Sequence, residues 1–366
     1  MKKYAMNEVT LMQYIFLIHG VQFATGILSL PRELAEKGGT DGWMSLLVGW
    51  ILNLVASLLI VQILKKFPDH TLFDLLVRLF GKWISRIIAL PWILFFAYSA
   101  WIIQIKGMLY TKAWFLSQTP DYIVMLLFAV PSYLIVRNGW RVLGRYSELV
   151  FYMTIWMPFI LLFALKDSYW IHLFPLFKEG IMPIFQGLEP SIYSLLGFEI
   201  TFFLYPFLQN KQMAARGIVI ANTLTLFLYL LITLICFAFF SPDEITVYNQ
   251  PVLNLLKVIE FRFIERFDMI FMALYLFIVS TAWIPYYFCA CFCTSQLLGK
   301  QNHSPYVIVF ALLFIVVTFL LHPSWNQSEN WTTWMSRFGI GIAYIFPLLL
   351  WIYVQVYVRV RRGIKQ

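Results

Sequence analysis

Thr25-Gly26-Ile27-Leu28-Ser29-Leu30-Pro31 lies at the end of an uncharged run, residues 9–31, and Leu196-Gly197-Phe198-Glu199 lies in a second apolar run, residues 190–210, whose one charge is Glu199, with Tyr205-Pro206 further on. Each stretch puts a glycine near the middle of a segment long enough to cross a bilayer, with a proline several residues beyond. One such glycine says little, because glycine is common in membrane helices. The same irregularity in corresponding positions of two halves of a chain points to the interrupted helices of an inverted-repeat transporter.

Eight further uncharged runs, residues 42–64, 87–105, 122–136, 149–165, 217–242, 269–299, 301–328 and 338–358, bring the expected total to ten transmembrane helices. About 20 apolar residues, rising about 1.5 Å each, cross a ~30 Å hydrocarbon layer. The runs 122–136 and 149–165 are short and are expected to borrow their flanks. With 61% hydrophobic and 12% charged residues among 366, the chain is not a soluble globular protein. The expected fold is an all-α integral membrane domain of residues 1–366, with a first repeat of about 9–165 and a second of about 187–358, interrupted in helices 1 and 6.

The net charge of +9 would suggest nucleic acid in a soluble chain. Here its placement matters more. With the N-terminus inside, 17 of the 27 Lys and Arg are cytoplasmic with only four acids, so both termini are expected in the cytoplasm and no nucleic-acid partner is expected. The first segment is followed by Pro31-Arg32-Glu33 and is expected to stay in the mature protein. Residues 69–83 inside and 251–264 outside have amphipathic periodicity, suited either to the bilayer surface or to a partner protein. Cys289, Cys291 and Cys293 point away from one another on a helix and lack a histidine partner, so neither a metal nor another cofactor is expected. No phosphate-loop, zinc-protease or nucleophile-elbow motif is present, and an enzyme is not expected.

A break at Thr25–Gly26 would turn the amide N–H groups of the following half-helix, from Ile27 onward, toward the membrane centre, where a carboxylate can bind. The alternative is a kinked helix packed on its neighbours. Glu199 is the one acidic residue deep inside an expected span; it must face a cavity, meet a cation such as Lys106, or be protonated and bridge helices. Gln22, one turn before Gly26, is placed to line the same cavity. His19, Asn53, Tyr98, Gln104, Thr154, Asn222 and Thr281 read as interhelical hydrogen-bonding residues. Pro91, Pro158, Pro285 and Pro347 are expected to kink their helices.

The chain resembles the B-subunit permeases of bacterial spore germinant receptors, a branch of the amino acid/polyamine/organocation transporters. The resemblance rests on Gly26-Ile27-Leu28-Ser29-Leu30-Pro31, on Phe67-Pro68, Thr71-Leu72 and Gly81-Lys82, on Gly197-Phe198-Glu199 with Pro206, and on Glu265-Arg266-Phe267-Asp268. It implies a subunit in the lipids of the spore inner membrane, partnered by an A-type membrane subunit and a C-type lipoprotein subunit, that binds a small nutrient such as an amino acid and triggers germination. It places the ligand at Gln22, Thr25, Gly26, Ile27, Gly197, Phe198 and Glu199, with Tyr98 closing the pocket from helix 3. A proton-coupled amino acid transporter using Glu199 is the competing expectation.

Overall fold

The computed structural model describes residues 7–24, 26–259 and 266–363. Thr25, Glu265 and residues 260–264 of the expected 251–264 helix lie outside the described residues. Helix follows helix: α1 Leu11–Gln22, α2 Gly26–Gly38, α3 Gly42–Lys65, α4 Leu72–Trp114, α5 Asp121–Val136, α6 Trp140–Thr154, α7 Met157–Ile160, α8 Met182–Gln186 and α9 Leu188–Ser194. Then come α10 Thr201–Leu204, α11 Ala214–Phe239, α12 Glu244–Val247, α13 Pro251–Val258, α14 Phe267–Leu297, α15 Ser304–Leu321, α16 Trp325–Ile340 and α17 Phe346–Gly363. Among the described residues the one isolated β-bridge pairs Val9 with Leu208, in parallel.

Seven stretches of the described residues are long and apolar enough to cross a membrane. A total of ten requires counting α1 with α2 as one interrupted crossing, and α5 and the broken stretch 188–207 as one each. The long α14 packs along α4, α1 and α6, while α11 packs along α1 and α3. Their contact surfaces form the buried core, and the apolar side chains of α5, α15 and α17 that face outward form a lipid-facing belt.

Local chemistry sets several boundaries. Thr10 opens α1 with a capping box: its hydroxyl accepts from Gln13 N (3.2 Å) and the Gln13 side chain accepts from Thr10 N (3.1 Å). Thr71 does the same for α4 with Asp74. Gly81, at φ 80°, then divides α4, so the amphipathic segment runs from Leu72 to the residue before that glycine. Pro91 and Pro285 are contained within the long helices α4 and α14, and Pro158 sits in the first turn of α7. A π-helical turn, Gly341–Ile345, joins α16 to α17 ahead of Pro347. The α13 segment lies buried against α2, α11 and α14 rather than along a bilayer surface, with Val252, Leu255 and Leu256 enclosed. α6 starts at Trp140, well before the uncharged run, after Gly139 at φ 79°, and within it Glu148 accepts from Gln13 Nε2 (3.3 Å).

The turn between α2 and α3 leaves no room for a side chain at Gly42, where a Cβ would stand 2.3 Å from the Leu34 carbonyl oxygen. Gly341 has open space. Gly42→Ala is therefore expected to lower stability by about 1–3 kcal/mol, and Gly341→Ala to leave it within about 0.5 kcal/mol. Thermal unfolding of the two variants in detergent checks both.

Candidate functional site

The interruption after Gln22 frees backbone carbonyls that a continuous helix would have satisfied, and in a hydrocarbon interior each needs a donor. Side chains of α11 and α14 supply them. Tyr229 donates to Gln22 O (2.8 Å), Tyr275 to Ala24 O (3.1 Å) and Thr281 to Gly20 O (3.2 Å). These contacts hold the broken strand of helix 1 against two uninterrupted helices.

Gln22 continues the network with its side chain. Its Nε2 donates to Leu195 O and to Asn222 Oδ1, both at 2.8 Å, and its Oε1 accepts from Thr225 (3.1 Å). Asn53 donates to Asn222 (2.9 Å), Asn222 to Ser57 (3.0 Å), and Tyr344 to Asn53 (3.1 Å). His19 Nδ1 meets Thr225 Oγ1 at 2.8 Å. Both amide protons of Gln22 are thus committed to protein acceptors; Gln22 is a strut between the two breaks as well as part of a cavity wall.

The second break crosses the first at Gly197. A Cβ there would lie 2.8 Å from Val21 Cγ1 and 3.0 Å from Gln22 N, and φ is 134°, so backbone geometry and space both require glycine. The freed amide of Gly197 donates to Glu199 Oε2 (2.8 Å), while Tyr286 donates to Glu199 Oε1 (2.6 Å). Glu199 is fully buried and is held by these two donors. Lys106, a candidate partner on sequence grounds, pairs with Glu329.

A cavity of about 950 Å³ opens from this crossing along α2. Gln22 and Gly26 line it, with Ser194 and Leu196 from the second break and Tyr286 from α14. A Cβ on Gly26 would meet Tyr229 Oη at 2.8 Å and Ser194 Oγ at 2.9 Å. Ile27 and Gly197 stand behind the wall, Phe198 is buried against Tyr344 (ring centroids 5.3 Å apart), and Glu199 reaches the cavity only through Tyr286. Tyr98 is outside it, its hydroxyl directed to Trp331 O (3.4 Å); the residues that α4 presents to the cavity are Ile103, Lys106 and Trp114. The upper wall is charged, with Arg32, Glu33, Glu36 and Lys37 from α2, Lys257 from α13 and Glu329 and Arg337 from α16. On the opposite side of the crossing the chain is closed, with Val9 N bonded to Phe207 O (2.9 Å) and Gln209 N to Val9 O (3.1 Å).

The tyrosines 229, 275 and 286 were not legible as site residues, because in a chain with 19% aromatic residues a tyrosine inside a span reads as packing. Glu199→Gln keeps an acceptor for the Gly197 amide and is expected to fold normally. Glu199→Ala strands that buried donor and is expected to cost about 1–3 kcal/mol. Their melting temperatures in detergent, side by side, test the assignment.

Sequence and structure comparisons agree with this architecture. A family model described as spore germination protein (Spore_permease) matches residues 8–329. Spore germination protein GerQB of Bacillus cereus is 25% identical, covering 97% of this chain and 98% of its own. Spore germination protein YndE of Bacillus subtilis (strain 168) is also 25% identical, covering 94% and 95%. Among solved structures, MhsT in complex with L-phenylalanine aligns with a TM-score of 0.66 at 9% identity, over 96% of this chain and 89% of that one. A Na+-coupled sialic acid symporter in a substrate-bound outward-open state aligns at 0.68 and 11% identity, over 96% and 81%. The fold is that of these transporters, and the chain, a multi-pass membrane protein, belongs to the spore germination permease family.

Proposed function

We propose that this chain is the membrane-embedded subunit of a spore nutrient germinant receptor, and that its cavity at the two helix breaks binds a small nutrient such as an amino acid. The observation that carries this reading is the cavity itself: about 950 Å³, open along α2, floored by Gln22 and Gly26 at the crossing of the breaks, and closed behind by the Val9–Leu208 bridge. Relatives along nearly the whole chain are spore germination proteins, and two proteins of like fold were solved with L-phenylalanine or in a substrate-bound state. The ten-span, five-plus-five organisation with cytoplasmic termini belongs to this reading, as do the spore inner membrane and the A-type and C-type partner subunits. No chemistry on the ligand is part of it. Binding drives signalling only through unequal affinity for two conformations of the subunit.

The competing reading is a proton-coupled amino acid transporter, favoured by the buried Glu199 carboxyl and its link to the cavity through Tyr286. The nutrient site is tested in a spore carrying Gly26→Ala at normal protein level, assayed for germination against a panel of amino acids and sugars. The added methyl group crowds Tyr229 and Ser194, and the nutrient concentration for half-maximal response is expected to rise about tenfold or more. Unchanged responses would move the nutrient site to a partner subunit, and pH-gradient-dependent uptake by the purified chain in vesicles would establish transport.

A further inference from the structure

The wall of the cavity contains a buried cation. Lys106 on α4 is 6% exposed and lines the cavity. It lies one helical turn before Tyr110, whose ring packs on Tyr275 (centroids 5.5 Å), whose hydroxyl in turn holds Ala24 O in the first break. The ammonium therefore belongs to the same enclosure as Gly26.

Its partner is poorly engaged. Glu329 Oε1 stands 3.4 Å and Oε2 3.5 Å from Lys106 Nζ, and the Glu329 side chain is 55% exposed. A charge-assisted N–H···O bond settles at about 2.7–2.9 Å. The same wall has one that does, Arg32 Nε to Glu36 Oε1 at 2.7 Å. Glu33, the other acid near Lys106, is hydrogen-bonded by Ser29. A buried ammonium with three donors needs a closely bonded anion, and a half-exposed carboxylate returns to water at little cost when it is displaced.

We propose that Lys106 is the carboxylate-recognising group of this cavity, and that Glu329 is the internal counter-ion a ligand's carboxylate displaces. The inference rests on the reading of the cavity as a nutrient site and narrows its ligand to small carboxylates, amino acids included, over neutral sugars. No bond is made or broken; one ion pair is exchanged for another.

The test uses the full chain in lipid nanodiscs, with binding read by ligand-observed NMR. The probes are propionate against propionamide, and a panel of amino acids against their amides. The wild type is expected to prefer the acid by about tenfold or more, Lys106→Met to lose that preference while still binding the amide, and Lys106→Arg to retain it. Glu329→Gln removes the competing anion and is expected to tighten acid binding several-fold. An acid-to-amide ratio that Lys106→Met leaves at its wild-type value, or a wild type that binds no carboxylate, overturns the proposal. Should propionate depend on Lys106 while no amino acid binds, the nutrient reading falls and the carboxylate assignment stands.

Discussion

The structure depends on one close approach, the seam where the backbone of Gly197 lies against Val21 and Gln22. Two helices that each stop inside a membrane create unpaired carbonyls and amides, and hydrocarbon offers them nothing. Bringing the breaks together solves the shortage locally: Gln22 reaches Leu195 O across the seam, and Glu199 reaches back to the Gly197 amide. Tyr229, Tyr275 and Thr281 from the unbroken α11 and α14 serve three further carbonyls of the first break. Those donors stand on well-packed, unbroken helices, and the cavity opens beside the seam they support.

Much of this was legible in the sequence, for identifiable reasons. Gly26 and Gly197 announce themselves because only backbone demands explain glycine-then-proline twice in apolar runs. Glu199 is visible because a carboxylate is rare at that depth. Orientation was harder to read. Tyr98 and Lys106 are both on α4, about 80° apart around its axis, and only packing against α14 and α16 decides which of them meets the cavity. The α13 segment shows the same limit: amphipathic spacing reveals an apolar face without saying whether lipid or protein covers it, and here protein does.

Charge is concentrated where the fold makes room for it. In a chain with only 12% charged residues, α2 and α16 still present both signs to one opening between apolar walls. Such low-dielectric surroundings strengthen the local field relative to bulk water. The opening thus presents both signs of charge beside apolar walls, a lining that matches separated charges better than a uniformly apolar surface.

The bridge between Val9 and Leu208 joins the entry of α1 to the end of the second break through two main-chain hydrogen bonds. A latch built from backbone atoms has no side-chain signature. Val9 supplies one donor and one acceptor, Phe207 the facing carbonyl and Gln209 the facing amide, so proline at Val9 or at Gln209 would remove a donor. The side chains of Val9 and Leu208 are themselves buried. Its specificity lies in main-chain atoms of Val9, Phe207 and Gln209, while the side chains at its two ends are enclosed apolar ones, so a search for polar side-chain contacts would pass over it.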